Sequence, residues 1–419
     1  MVGRDRAPGN GNGNGAERGY PYGPGRAVAA RGGNDDMAWA SARTTAYAVA
    51  EPQAARSVPL ARAGGCTLAA PLRAGTPLPA FDNSAMDGYA VGSEQGPWRI
   101  VGRVLAGEVY PNPIAPDEAV EIGTGAGIPP GAVAVLTYER ADCSGDKVDG
   151  SVPPGLNVRR RGEGAPAAAD LMPAGAPITP TVLGLAAMVG LDELSIRPRP
   201  TVAAVLTGSE IIHSGLSGNG KVRDGVGVQL PGLIRWLGGD LVDAEFVPDA
   251  PVDALGAALA EVTADVVVTC GSAARGPADR LRDTLRELGA RVLVPSVACR
   301  PGHPQQLARL ADGRWLVGLP GNPYAALVAA LTLLGPLLAG LAGRNLPTLP
   351  LASLSAPKTL ASDQVTRILP ARRAPGGGVE LVDRERPANL WGAALADSLA
   401  VIRPNWAGDP VPQLLLPEA

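Results

Sequence analysis

Phenylalanine and histidine are nearly missing from this chain of 419 residues, which holds two of each: Phe81 and Phe246, His213 and His303. Aromatic residues reach only 4% while hydrophobic residues make up 46%, so the cores must be built from Ala, Val and Leu. Cysteine is also sparse. Cys66, Cys143, Cys270 and Cys299 stand far apart and form no CxxC pair, which argues against a Cys/His zinc site. Isolated thiols of this kind read as reduced, partly buried residues of a cytoplasmic protein. Long basic runs are missing and the net charge is -3, which argues against nucleic acid as a main partner. No apolar core follows the first charges, so the N-terminus does not read as a secretory signal. One uncharged stretch, residues 324–343, has the length of a bilayer span. It is rich in Ala, contains Gly335 and Pro336, and follows directly on a strand-and-turn pattern. A buried helix of an α/β domain is the better reading, and no membrane association is expected.

What is present points to several domains, because 419 residues exceed one ordinary core. Residues 1–36 are rich in Gly, Asn, Pro and Arg and bury too little apolar surface to offset chain entropy, so a disordered tail is expected. Residues 37–79 and 155–195 are expected to form a linker or helical domain, with helical patterning near 37–55 and 181–190. Residues 80–154 carry short apolar runs broken by Gly and Pro, the texture of a β-rich domain. From 196 to 346 strands and helices alternate: strands near 202–206, 241–247, 265–269 and 315–319, helices near 228–237, 251–262, 278–288 and after Asn322. That alternation means βαβ units and a mainly parallel sheet. The Pro-rich remainder, 347–419, suits a small C-terminal β domain. The fold class is therefore α/β together with β.

Three strands of the α/β region run into loops of one character: Thr207-Gly208-Ser209-Glu210, Cys270-Gly271-Ser272 continuing to Asp279, and Leu319-Pro320-Gly321-Asn322-Pro323. In open parallel sheets the carboxyl edge of the strands forms the ligand crevice. Small residues allow close approach, and helix N-termini favour anions. Turn formation alone explains any one of these loops; three at one edge point to a site for an anionic small molecule. Glu210 and Asp279 would repel a bare anion, so a bridging cation is implied, and hard oxygen ligands suit Mg²⁺. For Asp279 a role at the start of a helix weighs as much as the metal reading.

A further polar segment lies in the β-rich part: Pro79-Ala80-Phe81-Asp82-Asn83-Ser84-Ala85-Met86-Asp87-Gly88-Tyr89-Ala90. Periodicity alone does not make it catalytic. It resembles, however, the signature of the molybdopterin molybdenumtransferase family, which includes the E domain of gephyrin. The resemblance continues in family order through Gly123-Thr124-Gly125-Ala126, Arg159-Arg160-Arg161-Gly162-Glu163, Thr207-Gly208-Ser209-Glu210 and Gly318-Leu319-Pro320-Gly321-Asn322-Pro323. It covers the chain from about Pro59 to the C-terminus.

The resemblance implies a reaction in which molybdate enters adenylated molybdopterin and AMP leaves. It implies Asp82, Thr124, Glu210 and Asp279 as catalytic residues, and Glu210, Asp249 and Asp279 as the acids associated with Mg²⁺ or molybdate. Gly208, Gly271, Ser272, Arg300, His303, Pro320, Asn322 and Pro323 are implied on the cofactor side. A homodimer with its cleft between subunits is implied too, with a molybdopterin adenylyltransferase or a recipient molybdoenzyme as partner. Several positions depart from the family pattern. Ser209 replaces an aspartate, Ser272 breaks a Gly-Gly pair, Arg275 adds bulk and charge, and Arg300 and His303 stand at lysine positions. These departures leave a second reading, a catalytically degenerate paralogue acting as a pterin- or partner-binding scaffold. A third, an adenylyltransferase-like activity, is opposed by the β-rich part carrying the best-matched motif.

Overall fold

The computed structural model describes residues 36–251, 253–271, 280–357, 360–362, 364–382, 386 and 388–417, and in it residues 37–419 form one compact unit. The valine-rich runs of the α/β region form the central sheet. Its six strands lie in the order Asp240–Val247, Thr201–Thr207, Val266–Cys270, Trp315–Leu319, Gln306–Arg309, Arg291–Val294. The first four run parallel, and Gln306–Arg309 is antiparallel to both its neighbours. Side chains alternate across this sheet as the pleat requires. Val202, Ala204, Val266 and Val268 join the core on one face, while Ala203, Val205 and Val267 join the core on the other. Helix Val226–Leu237 covers the first face; helices Ala254–Glu261 and Leu281–Glu287 cover the second.

The helical stretch Pro323–Leu341 is long and apolar enough to cross a membrane, yet from Tyr324 onward it is buried inside the fold. Pro336 has no N–H to return to the preceding turn, and the residues before it, Ala330–Leu334, form a π-helical turn. Helix Trp39–Ala48 packs here as well. The Trp39 indole Nε1 donates to Thr332 Oγ1 at 3.0 Å, and Ala42 and Ala46 are fully buried in the same core. Just before it, Met37–Ala38 pairs in parallel with Val297 and Ala298. The N-terminal helix, expected to go with residues 56–79, thus sits in the core of the α/β domain. The reason is that its small-residue face fits an Ala- and Leu-rich helix.

Residues 56–79 instead join 165–197. Arg56–Pro59 and Thr67–Leu68 flank Glu193–Arg197 in a three-stranded sheet, and Leu72–Arg73 pairs with Asp170–Met172. Helix Pro180–Met188 closes over that core through Val182 and Ala186, beside Leu68, Leu72, Ile178 and Ile196. The β-rich part is a six-stranded sheet in the order Asp142–Ser144, Lys147–Asp149, Trp98–Val104, Glu118–Ile122, Gly88–Val91, Ala134–Thr137. Its scarce aromatics are spent centrally, with Trp98 fully buried against Leu136 and Val148. The C-terminal sheet gathers Thr366–Arg373, Ser398–Ile402, Val411–Leu415 and Leu351–Ala352, and Val297–Arg300 joins it in parallel. The tail over 1–36, expected to be disordered, lies outside the described residues but for Asp36.

Candidate active site

The chain leaves Thr201–Thr207 toward Asp240–Val247 on one side and returns to Val266–Cys270 on the other. Strand order reverses between these elements, and open α/β sheets place their ligand crevice at such a point. The register sets three loops at one edge: Leu206 pairs with Cys270, and Cys270 with Leu319. A cleft of about 510 Å³ opens there. Of the residues singled out in the sequence, Gly208, Glu210, Asp249, Gly271, Pro320, Asn322 and Pro323 line it.

The loops are held very close to one another. Gly271 has φ +92°, and a Cβ there would stand 2.5 Å from Thr207 Oγ1 and 2.7 Å from Thr207 O, so only glycine fits. Thr207 Oγ1 donates to Cys270 O at 3.3 Å, and Cys270 Sγ to Pro320 O at 3.3 Å, which ties all three loops together. Burial, with the Asp224 charge second, pushes the Cys270 thiol up to about 12. Ser209 N donates to Asp249 Oδ2 at 2.7 Å, and Asp249 N to Ser209 Oγ at 3.3 Å. Pro323 stands at the first turn of its helix, where a missing N–H costs nothing.

Asp224 also lines this cleft, and the sequence reading did not single it out as a site residue. Its Oδ1 accepts from Val226 N at 3.0 Å and Gly227 N at 2.8 Å, capping the helix that begins at Val226. The signal was legible: an Asp two residues before an apolar helical run is a helix-start pattern. Opposite it, Gln229 Nε2 donates to Pro323 O at 3.2 Å and joins the two helices that open on the cleft.

The remaining predicted residues lie elsewhere. Asp82 sits in the β-rich part, where its Oδ2 accepts from Arg160 Nη1 at 2.7 Å and its Oδ1 from Arg161 N at 2.8 Å. The Arg161 N–H, then the Arg160 guanidinium, hold its carboxyl below the usual aspartate range. Thr124 is close by in the same lobe, with its N and Oγ1 both donating to Asp87 Oδ1, at 2.7 and 3.0 Å. Neither lines the cleft of its own chain. Phe81 and Met86, beside Asp82, are exposed apolar side chains, 55% and 42%. Arg300 lines a separate cavity of about 350 Å³ with Ser362 and Arg367. His303 borders neither space, although its neighbour Pro304 lines the cleft. Ser272 and Asp279 lie outside the described residues. Among the described residues no three His, Cys, Asp or Glu side chains come together in a metal-binding group.

Comparison with known proteins finds relatives for both the N-terminal and the α/β parts of this chain. Residues 37–190 match the MoeA N-terminal region (domain I and II), and residues 203–340 match a probable molybdopterin binding domain. Molybdopterin molybdenumtransferase 2 of Mycobacterium tuberculosis is 36% identical over 292 residues, which cover 65% of this chain and 72% of that protein. Molybdopterin molybdenumtransferase of Haemophilus influenzae is 32% identical over 280 residues, 64% and 68% of the two chains. A molybdopterin biosynthesis MoeA protein from Pyrococcus horikoshii matches in structure with a TM-score of 0.72, covering 91% of this chain and 100% of that one. At 21% identity that likeness speaks for the fold alone.

Proposed function

Because the chain belongs to the molybdopterin molybdenumtransferase family, we propose that it inserts molybdate into adenylated molybdopterin and releases AMP, forming the molybdenum cofactor. The observation that carries this reading is the convergence of three Gly- and Pro-rich loops on one cleft that also presents Glu210, Asp224 and Asp249.

The residues supply binding, orientation and charge. Gly208 and Gly271 bring backbone, not side chain, to the cleft wall, so a phosphate can approach closely. Helices Val226–Leu237 and Pro323–Ala329 both begin at this cleft, and helix N-termini favour anions. Arg300 and Arg367 line a separate cavity and would offer cations to an oxyanion of the substrates. Mg²⁺ commonly takes only one or two carboxylates and completes its shell with substrate phosphate and water. Glu210 and Asp249 meet that need in kind, and one Asp249 oxygen is already committed to Ser209 N. When bound, the ion would neutralise phosphate charge as AMP departs.

A homodimer forms part of this proposal. Asp82 and Thr124 do not reach the cleft of their own chain, and the exposed Phe81 and Met86 beside them suit a face covered by a second copy.

The test is a molybdate-dependent AMP-release assay with adenylated molybdopterin. Wild type should release AMP only with molybdate and Mg²⁺ present. Glu210→Gln should lower the rate by several kcal/mol of barrier, on the order of a thousandfold, with the melting temperature unchanged. No AMP release from wild type at any Mg²⁺ concentration would refute the activity. A monomer at micromolar concentration in light scattering would refute the dimer.

A further inference from the structure

A second cavity, of about 230 Å³, lies away from the cleft and shares no lining residue with it. Two arginines with an unusual electrostatic setting face it, Arg43 and Arg344. Arg43 is only 8% exposed. Its Nη2 donates to Pro347 O at 2.8 Å, while its Nε is buried with no hydrogen-bond partner. Arg344 donates from Nη2 to Leu237 O at 2.8 Å, and its Nε is likewise buried and unpaired. Among the described residues neither forms an ion pair, and no Asp or Glu lines the cavity. Arg199, the cation nearest in influence to Arg344, has its own acid in Asp240, at 3.0 Å. Burial lowers the pKa of both guanidinium groups, and no neighbouring carboxylate counters it.

Arg43 is buried and Arg344 half-buried, and among the described residues no carboxylate faces either of them at this wall. The end of helix Val226–Leu237 offsets the Arg344 charge only in part, so an anion supplied from outside would relieve the remaining cost. The rest of the wall says what kind. Trp236, Leu331, Pro336 and Leu349 make it mostly apolar, with Asn345 at the side. A phosphate or sulfate would have to leave oxygens unpaired against those surfaces. A monocarboxylate concentrates its charge at one end and leaves an apolar body to fill the remainder, which matches the usual division of a ligand pocket into apolar walls and a few polar anchors. We propose that this cavity is a binding site for a carboxylate carried on a compact apolar group, with Arg43 and Arg344 as its anchors. The carboxylate belongs either to a free small acid or to the C-terminus of a peptide ending in an apolar residue.

The experiment is calorimetric titration of the full chain at low salt with 3-phenylpropionate, its neutral amide, inorganic phosphate, and a tetrapeptide ending in leucine with a free or amidated terminus. A carboxylate should bind once per chain, about tenfold or more tighter than its amide, the difference carried by charge-assisted hydrogen bonds. Phosphate should not compete. Binding of the free acid assigns a small-molecule ligand; binding of the peptide acid alone assigns a protein terminus. Arg344→Gln should weaken carboxylate binding about tenfold or more. Arg43→Met should do the same without lowering the melting temperature of the ligand-free protein, because it removes a buried, unneutralised charge. Equal affinity for acid and amide, no heat up to about 10 mM of either carboxylate, or full binding by both variants would overturn the proposal.

Discussion

Replacing Gly271 by alanine isolates the tightest contact in the cleft. The new methyl meets Thr207 Oγ1 at 2.5 Å and the Thr207 backbone oxygen at 2.7 Å, and the residue must hold φ +92°. A left-handed conformation costs a non-glycine residue about 1–2 kcal/mol. Overlap with backbone, which cannot rotate away, adds about 1–3 kcal/mol. Together these destabilise the α/β domain by about 2–5 kcal/mol, or about 5–15 °C in melting temperature. The control is Gly215→Ala, where φ is +83° but nothing stands within 4 Å of the added Cβ; it carries the backbone cost alone. Scanning calorimetry of both variants separates the two contributions. AMP release, measured at a temperature where both are folded, should fall for Gly271→Ala because the Thr207 loop and Glu210 are pushed out of register. Equal melting temperatures for the two variants would show that the loops are not in the close approach described.

Two further predictions concern titrating groups. Asp82 has a lowered folded-state pKa, so its contribution to stability is full above the ordinary aspartate range and is lost as pH falls through the lowered value. Arg160→Ala should raise the Asp82 pKa in a carboxyl NMR titration; because the pair is half exposed, the stability lost should stay below about 1 kcal/mol. An unchanged Asp82 titration would rule out the Arg160 contribution. Cys270, pushed up to about 12 by burial, should remain a thiol at pH 8 and resist iodoacetamide in the folded protein, whereas the exposed Cys143 should react. Mass spectrometry of the labelled chain decides it, and labelling of Cys270 at the rate of Cys143 would contradict its place beneath Pro320.

Three parallel strands, Thr201–Thr207, Val266–Cys270 and Trp315–Leu319, were legible because they are largely buried and read as apolar runs, while Asp240–Val247, half exposed and carrying three acids, was legible within the strand–helix alternation. The cleft was legible because its loops need Gly and Pro. The antiparallel strands of the same sheet were not legible. Arg291–Val294 is only four residues long at the sheet edge, with Arg291 and Val292 exposed, and Gln306–Arg309 opens on a buried Gln306 in the antiparallel part; neither is long enough to stand out as a strand. Long-range docking was also hidden. Trp39 meets Thr332 across 293 positions, and nothing in its local pattern says which core it enters. Arg300 was read with the cleft loops, but it ends a strand that joins the C-terminal sheet, and there it lines a separate cavity with Arg367.

Ser209, one of the departures from the family pattern, is the clearest case in which structure explains a substitution. The loop after Thr207 has to be fixed if Glu210 is to be presented at a constant place. Here Ser209 and Asp249 exchange two hydrogen bonds, backbone to side chain in each direction, and Lys221 Nζ donates to Ser209 O at 2.6 Å. An aspartate at 209 would set a second carboxylate against Asp249, and like charges that close disfavour ionisation of both. The hydroxyl keeps the loop tied while adding no charge, which leaves the free oxygen of Asp249 available to a cation. Under the proposed activity, Ser209 therefore preserves loop position and an accessible carboxylate by a smaller side chain rather than by loss of the interaction.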